Sequence, residues 1–296
     1  MDWRELLITI FVYVCQKYKE ELQFYCKRMS NNHKEPSFID EEAITLYLFG
    51  IIQGHSKIKK IHKYAQDHLL DWFPALPSYV AFVYRLNRLN NVFPLFIQHI
   101  LNDFPHNEVL QNIRLIDSMP IIMATAKRSS RAKVAVEIAN KGYCSSKNMY
   151  YHGVKLHVMA LKREQQLPIP EYALISSASE HDLNVFRQIT QEIYGVQIFA
   201  DKAYINEAEQ ELLAQNHQIH LLTPVKKKKN QEQLFLFDQL LSTSVSKVRQ
   251  PIESLFNWIQ EKTNIQAASK VRAYNGLMVH VFGKLAAAMI LLLMNP

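Results

Sequence analysis

The chain has 296 residues, of which 48% are hydrophobic and 21% charged, with seven glycines and a formal net charge of +7. That length suffices for two domains, and the composition excludes a disordered or low-complexity chain. Three cysteines, Cys15, Cys26 and Cys144, show no pairing logic and no C-x-x-C spacing. They read as small apolar fillers in a reducing cytoplasm.

In chain order, residues 1–105 read as helical throughout. The first segment, MDWRELLITIFVYVCQKYKEE, has a short apolar run with acidic flanks. A secretory signal needs a basic start, so a buried or amphipathic helix is expected. Residues 27–38 are polar and read as a loop. The acidic run Asp40-Glu41-Glu42 suits the first turn of the next helix, and residues 56–70 form another. In 76–93, Pro77 and Ser78 can open a helix whose apolar face is Tyr79, Phe82, Val83 and Leu86. Arg85, Asn87 and Arg88 lie toward its other side. That pattern fits either a DNA recognition helix making bidentate base contacts or an amphipathic helix with a basic solvent face. A polar stretch with a proline, 102–107, divides a helical domain (1–105), expected to bind DNA, from a second domain (106–296).

The second domain reads as strands and helices. Residues 113–123 form the first, central strand and 151–161 the second. The basic segment 126–148 lacks apolar periodicity and reads as an inserted loop that orders on DNA. Residues 171–177 are a third strand and 181–194 a helix. The run 196–200 is a short buried strand, since strands covered on both faces are near-continuously apolar. Asn206 caps a helix over 207–216, and 220–224 is a fifth strand. In 248–262, Ile252, Leu255, Phe256 and Ile259 recur at helical spacing, with Pro251 placed in a first turn. The apolar run 277–294 is interrupted by His280, Gly283 and Lys284. Its uniformly apolar part is too short to span a bilayer, so it is expected to close the domain by packing on the sheet; no membrane partner is expected.

Two strands carry carboxylates. Asp201 follows 196–200, at the sheet rim where α/β proteins bind ligands. Asp117 lies within an apolar run, where an ionised carboxylate is costly unless paired or metal-bound. Glu253 lies on the less apolar side of the last amphipathic helix, with Arg249 one turn before it. The charge is uneven. Residues 1–105 carry 12 basic and 11 acidic side chains, and the remainder 22 and 16. The excess gathers in 126–155 and in Lys226–Lys229, which suits a polyanionic partner.

Six motifs, IDSMP, YHGVKLH, SSASEHD, FADKAY, TPVKKKK and RQPIESLFNWI, occur in that order over residues 110–290. In order and spacing the chain resembles the bacterial insertion-sequence DDE transposases, most of all the insertion sequence 982 family. Ser246 and Gln260 stand where many relatives carry the Tyr and Lys of a Tyr-Arg-Glu-Lys signature. The resemblance implies an α/β fold, an RNase H-like mixed five-stranded sheet with flanking helices, preceded by the all-α N-terminal domain. It implies Asp117, Asp201 and Glu253 as catalytic ligands of two Mg²⁺ or Mn²⁺ ions, for which oxygen-only donors are suited. Lys202 and Arg249 would meet phosphate, and Arg85, Arg88, Lys226 and Lys227 would contact DNA. The implied partners are terminal inverted repeats, target DNA and a second copy of the chain. A nuclease that cuts without joining, or a non-catalytic DNA-binding protein, would share these residues. His152, His157, His181 and Asp182 are not assigned to catalysis; His181 and Asp182 are candidates to support the site from behind.

Overall fold

The computed structural model describes residues 2–26, 36–105, 109–227, 231 and 233–294. The chain divides into two compact units: Met1–Phe104 with Lys133–Glu137 and Ile259–Pro296, and Pro105–Ala132 with Ile138–Trp258.

The first unit is helical, with α1 (Trp3–Glu20), α2 (Asp40–Ile52), α3 (Ile58–His68), α4 (Tyr79–Arg88) and α5 (Val92–Asn102). Asp2 and Glu5 cap α1 reciprocally, and the Ser78 hydroxyl accepts from the Ala81 amide at the start of α4. Every residue of α2 from Ala43 to Ile51 is buried, so it forms the unit's axis. Gly50 permits close approach of α3, because a Cβ there would stand 2.6 Å from Ile61.

The C-terminal residues correct an expectation. Residues 274–294 are continuously helical, through α9 (Tyr274–Met278), a π-helical turn (Val279–Gly283) and α10 (Lys284–Met294). By length and composition this is one helix apolar enough to cross a membrane, yet most of it is buried within the protein. It does not close over the sheet. It packs on α2 and α5 inside the helical unit, where Gly283 lies against Tyr47 and Phe93. An all-round apolar helix needs apolar neighbours on all sides, and this unit supplies them.

The second unit carries a mixed sheet of six strands: β1 (Val109–Thr125), β2 (Asn140–Cys144), β3 (Met149–Arg163), β4 (Ile169–Ser177), β5 (Gln197–Phe199) and β6 (His220–Leu222). The order is β2-β3-β1-β5-β6, with β4 also on β3. β3 is antiparallel to β1, β2 and β4, whereas β5 and β6 run parallel to β1. β2 and β4 take successive stretches of β3, Met149–Gly153 and Val154–Leu161. This is the expected RNase H-like architecture, with one strand more. The additional strand, β2, lies inside the segment read as a loop. Its periodicity is weak because it is short and basic, and pairing with β3 makes it a strand.

Helices α6 (Asp182–Thr190) and α7 (Glu207–His217) follow β4 and β5. Their apolar faces join Ile116, Met159 and Ile198 of the sheet in one core with Phe186, Ile189, Leu213 and Ile219. Asn206 caps α7 by accepting from the Glu209 amide, as its sequence position indicated.

Helix α8 (Leu236–Thr263), which belongs to this unit as far as Trp258, is longer than the periodicity indicated, so Pro251 lies inside it and not in its first turn. Pro251 has no amide to offer the carbonyl one turn earlier. The helix continues through this gap because Ile252, Leu255 and Phe256 beyond it are buried.

Candidate functional site

Strand pairing builds the site. β1 and β5 are parallel, with Leu115 paired to Phe199. Asp117 and Asp201 each stand two residues beyond that pair, so the two carboxylates leave adjacent strands at the same level. Asp201 begins a short 3-10 turn, Lys202–Tyr204, and its side chain accepts from the Lys202 amide. Asp117 accepts from the amide of Ser118 at 2.8 Å.

Helix α8 contributes Arg249 and Glu253, one turn apart. The Arg249 guanidinium donates Nη1 to Asp117 Oδ2 at 2.8 Å and Nη2 to Glu253 Oε1. It therefore bridges a strand carboxylate to a helix carboxylate. The side chains of Arg249 and Asp117 are 14% and 22% exposed, whereas Glu253 is 52% exposed. Burial, with a smaller push from nearby Asp201, raises the Asp117 carboxyl to about 6 against the downward pull of Arg249 and the Ser118 amide. Burial disfavours the charge on Arg249, but Asp117, Glu253 and Asp201 more than offset it and raise its pKa.

Behind the strands lies the Tyr204 ring, edge-to-face on Phe186 at 5.6 Å between centroids. Its hydroxyl is buried with no hydrogen-bond partner. Burial first, then the charges of Asp182, Asp117 and Asp201, raise its pKa and keep it a neutral phenol. On the same side Asp182 accepts from Ser118 and from Lys155. Asp182 was visible in the SSASEHD motif, but nothing local signalled its bond to the residue after Asp117, because the partners are 64 residues apart.

Thus Arg249 links Asp117 to Glu253, Asp201 leaves the neighbouring strand at the level of Asp117, and Lys202 stands exposed beside Asp201. Lys226 and Lys227 are exposed beyond β6, where the Val225 amide donates to Ser242 of α8 at 2.9 Å; Lys228 and Lys229 lie outside the described residues. In the helical unit, Arg85 does not project freely into solvent. It is paired with Asp40 at 2.7 Å and is 24% exposed. The Arg88 guanidinium lies 5.7 Å from the centre of the exposed Tyr84 ring.

The donor set of Asp117, Asp201 and Glu253 is all carboxylate oxygen, the chemistry that hard divalent cations select. Arg249 already places a positive charge between two of these carboxylates, as such an ion would. Among the described residues no three acidic, His or Cys side chains are gathered closely enough to hold a metal. An ion bound by all three would therefore require Arg249 to turn aside.

Residues 108–272 match the family described as a transposase DDE domain. No curated protein and no solved structure matches the chain.

Proposed function

Since the chain belongs to the transposase DDE domain family, we propose that it cuts the ends of a mobile DNA element and joins them to target DNA. The observation that carries this reading is the level placement of Asp117 and Asp201 on parallel neighbours, with Arg249 linking Asp117 to Glu253. In this reading Asp117, Asp201 and Glu253 hold Mg²⁺ or Mn²⁺, and two such ions supply nucleophile activation and leaving-oxygen stabilisation. Water attacks the phosphodiester at the element end and frees a 3′-OH. That hydroxyl then attacks a target phosphodiester, joining element to target and releasing a target 3′-OH. Arg249, freed from its carboxylates, meets a phosphate, and Lys202 meets another. Lys226 and Lys227 extend the phosphate-binding surface.

The helical unit is proposed to read the terminal inverted repeats. Arg85, which would first have to leave Asp40, and Arg88 are the proposed base-contacting residues. The motif order supports kinship with the insertion sequence 982 family, and that kinship would imply a dimer that bridges two ends.

The test is Mg²⁺-dependent cleavage and joining of labelled DNA that carries the element's own ends. Asp201→Ala should lower both by roughly a thousandfold, the scale expected when a group stabilising transition-state charge is removed. Cleavage without joined product would reassign the protein as a nuclease. Bound but uncut DNA, with Asp201→Ala indistinguishable from wild type, would leave a DNA-binding protein and end the catalytic reading.

A further inference from the structure

We propose that Asp182 is a positioning residue: through Ser118 it fixes the orientation of Asp117 from the opposite side of the sheet. The proposal rests on the reading of Asp117 as a metal ligand. It accounts for two motifs, YHGVKLH and SSASEHD, that the reaction itself does not use.

Ser118 has two roles. Its amide donates to Asp117 Oδ1 at 2.8 Å, and its hydroxyl donates to Asp182 Oδ2 at 3.1 Å. The other oxygen of Asp182, Oδ1, accepts from Lys155 Nζ at 2.7 Å. Both oxygens of one carboxylate are thus spent on two neighbouring strands, β1 and β3. Ser118 pairs with His157, and Pro120 with Lys155, in the antiparallel register of those strands. Lys155 and His157, two residues apart, share a face of the sheet. Lys155 also donates to the carbonyl of Glu180 at 2.7 Å, and His157 Nε2 bonds the Ser176 hydroxyl at 2.7 Å.

The loop that carries Asp182 is itself fastened. Asn140 of β2 donates to the Ser179 hydroxyl at 2.7 Å and accepts from the Ser179 amide at 3.0 Å. Gly142 lets the loop lie flat on β2, since a Cβ there would stand 2.3 Å from the Ala178 carbonyl oxygen. Asp182 opens α6 just behind the His181 cap. Every backbone segment next to Asp182 is therefore held, and so is the hydroxyl it grips. An ion held by Asp117 requires that carboxylate at a defined angle. Groups that orient ligands from behind commonly change metal affinity 10- to 100-fold when lost.

The experiment is Mn²⁺ binding to the full chain without DNA, followed by electron paramagnetic resonance. The variants are Ser118→Ala, Ser118→Thr and Asp182→Asn, with Asp201→Ala as reference. Ser118→Ala removes only the link and leaves the Lys155–Asp182 pair in place. It should weaken Mn²⁺ binding about 10-fold or more with little change in unfolding temperature. Ser118→Thr restores a hydroxyl and should return affinity to near wild type. Asp182→Asn has one acceptor oxygen for two donors and should weaken binding at least as much. Wild-type Mn²⁺ binding by Ser118→Ala would overturn the proposal, whatever Asp182→Asn does to folding. If Asp201→Ala still loses the ion in that case, the metal site stands and only the positioning role fails. Absence of Mn²⁺ binding in the wild type would overturn both.

Discussion

Two kinds of buried or half-buried cation occur in the molecule. The core lysine of the helical unit, Lys284, meets carbonyl oxygen, whereas the cations at the carboxylate site of the sheet unit, like Lys17 and Arg85 of the helical unit, meet carboxylates. In the helical unit, Lys284 is 1% exposed and donates to the carbonyl of Asn264 at 3.0 Å. His280, one turn earlier, meets the carbonyl of Ile265 at 2.7 Å. A carbonyl satisfies a hydrogen bond but carries no full countercharge. Burial accordingly pushes Lys284 down to about 7, and burial with the nearby Lys284 pushes His280 down to about 3. In the sheet unit the half-buried cations face carboxylates: Arg249 with Asp117, Lys155 with Asp182, and Arg114 with Glu171. The difference teaches that burial without a countercharge favours loss of the Lys284 proton, whereas the carboxylates around Arg249 favour its charge.

Substitutions that challenge this contrast differ in size. The largest effect is expected at Gly153 of β3, where a Cβ would stand 2.0 Å from the Ile121 carbonyl oxygen. Backbone cannot yield to backbone without parting β1 from β3. Gly153→Ala should therefore cost roughly 3 kcal/mol or more, beyond ordinary overpacking. Gly283→Ala meets the Tyr47 ring at 2.6 Å, and a ring can shift, so it should cost clearly less. Urea unfolding of the two variants compares the units directly, and equal losses would show that the Tyr47 ring yields no more readily than the Ile121 backbone.

Next is Lys155→Met. It leaves Asp182 without its countercharge, and breaking a buried pair costs about 3–5 kcal/mol. With both side chains about one-fifth exposed, roughly 2–3 kcal/mol is expected after solvent screening. The opposite sign is expected for Lys284→Met. Its folded pKa lies below its unfolded value, so the unfolded state binds more protons between about pH 7 and pH 10.5. Wild-type stability should then rise with pH across that window. Below it the full penalty of a buried ammonium applies. Lys284→Met should gain about 1–3 kcal/mol at pH 7, after the lost bond to Asn264 is subtracted, and should flatten the rise. Unfolding at pH 6, 8 and 10 measures both, and a destabilised Lys284→Met protein would contradict the account.

The smallest effects are at the helix caps. Asn206→Ala in the sheet unit and Ser78→Ala in the helical unit each remove one acceptor for a first-turn amide. Each should cost about 1 kcal/mol. Similar losses, read by the shift in thermal midpoint, would show that local helix capping does not distinguish the units.

The sequence by itself determined whatever rests on neighbours along the chain. Alternation and continuous apolar runs marked β1, β3, β4, β5 and β6. The positions of Asp117 and Asp201 just past Leu115 and Phe199 follow from those runs, and the Arg249–Glu253 spacing follows from one helical turn. Asn206 and Ser78 announced their helices because capping is a contact of three residues. The tertiary structure alone decided four things. β2 became a strand only by pairing with Met149–Gly153. Pro251 came to lie within α8 because burial of Ile252 and Leu255 outweighs one missing hydrogen bond. The helix over 274–294 packed on α2 and α5 because apolarity states that a surface must be covered and not by which neighbour. The bonds of Asp182 to Ser118 and of Arg85 to Asp40 join residues 64 and 45 positions apart. Periodicity, capping and turn chemistry act over one or two turns, whereas ion pairs and strand registers depend on which distant segments the fold brings together.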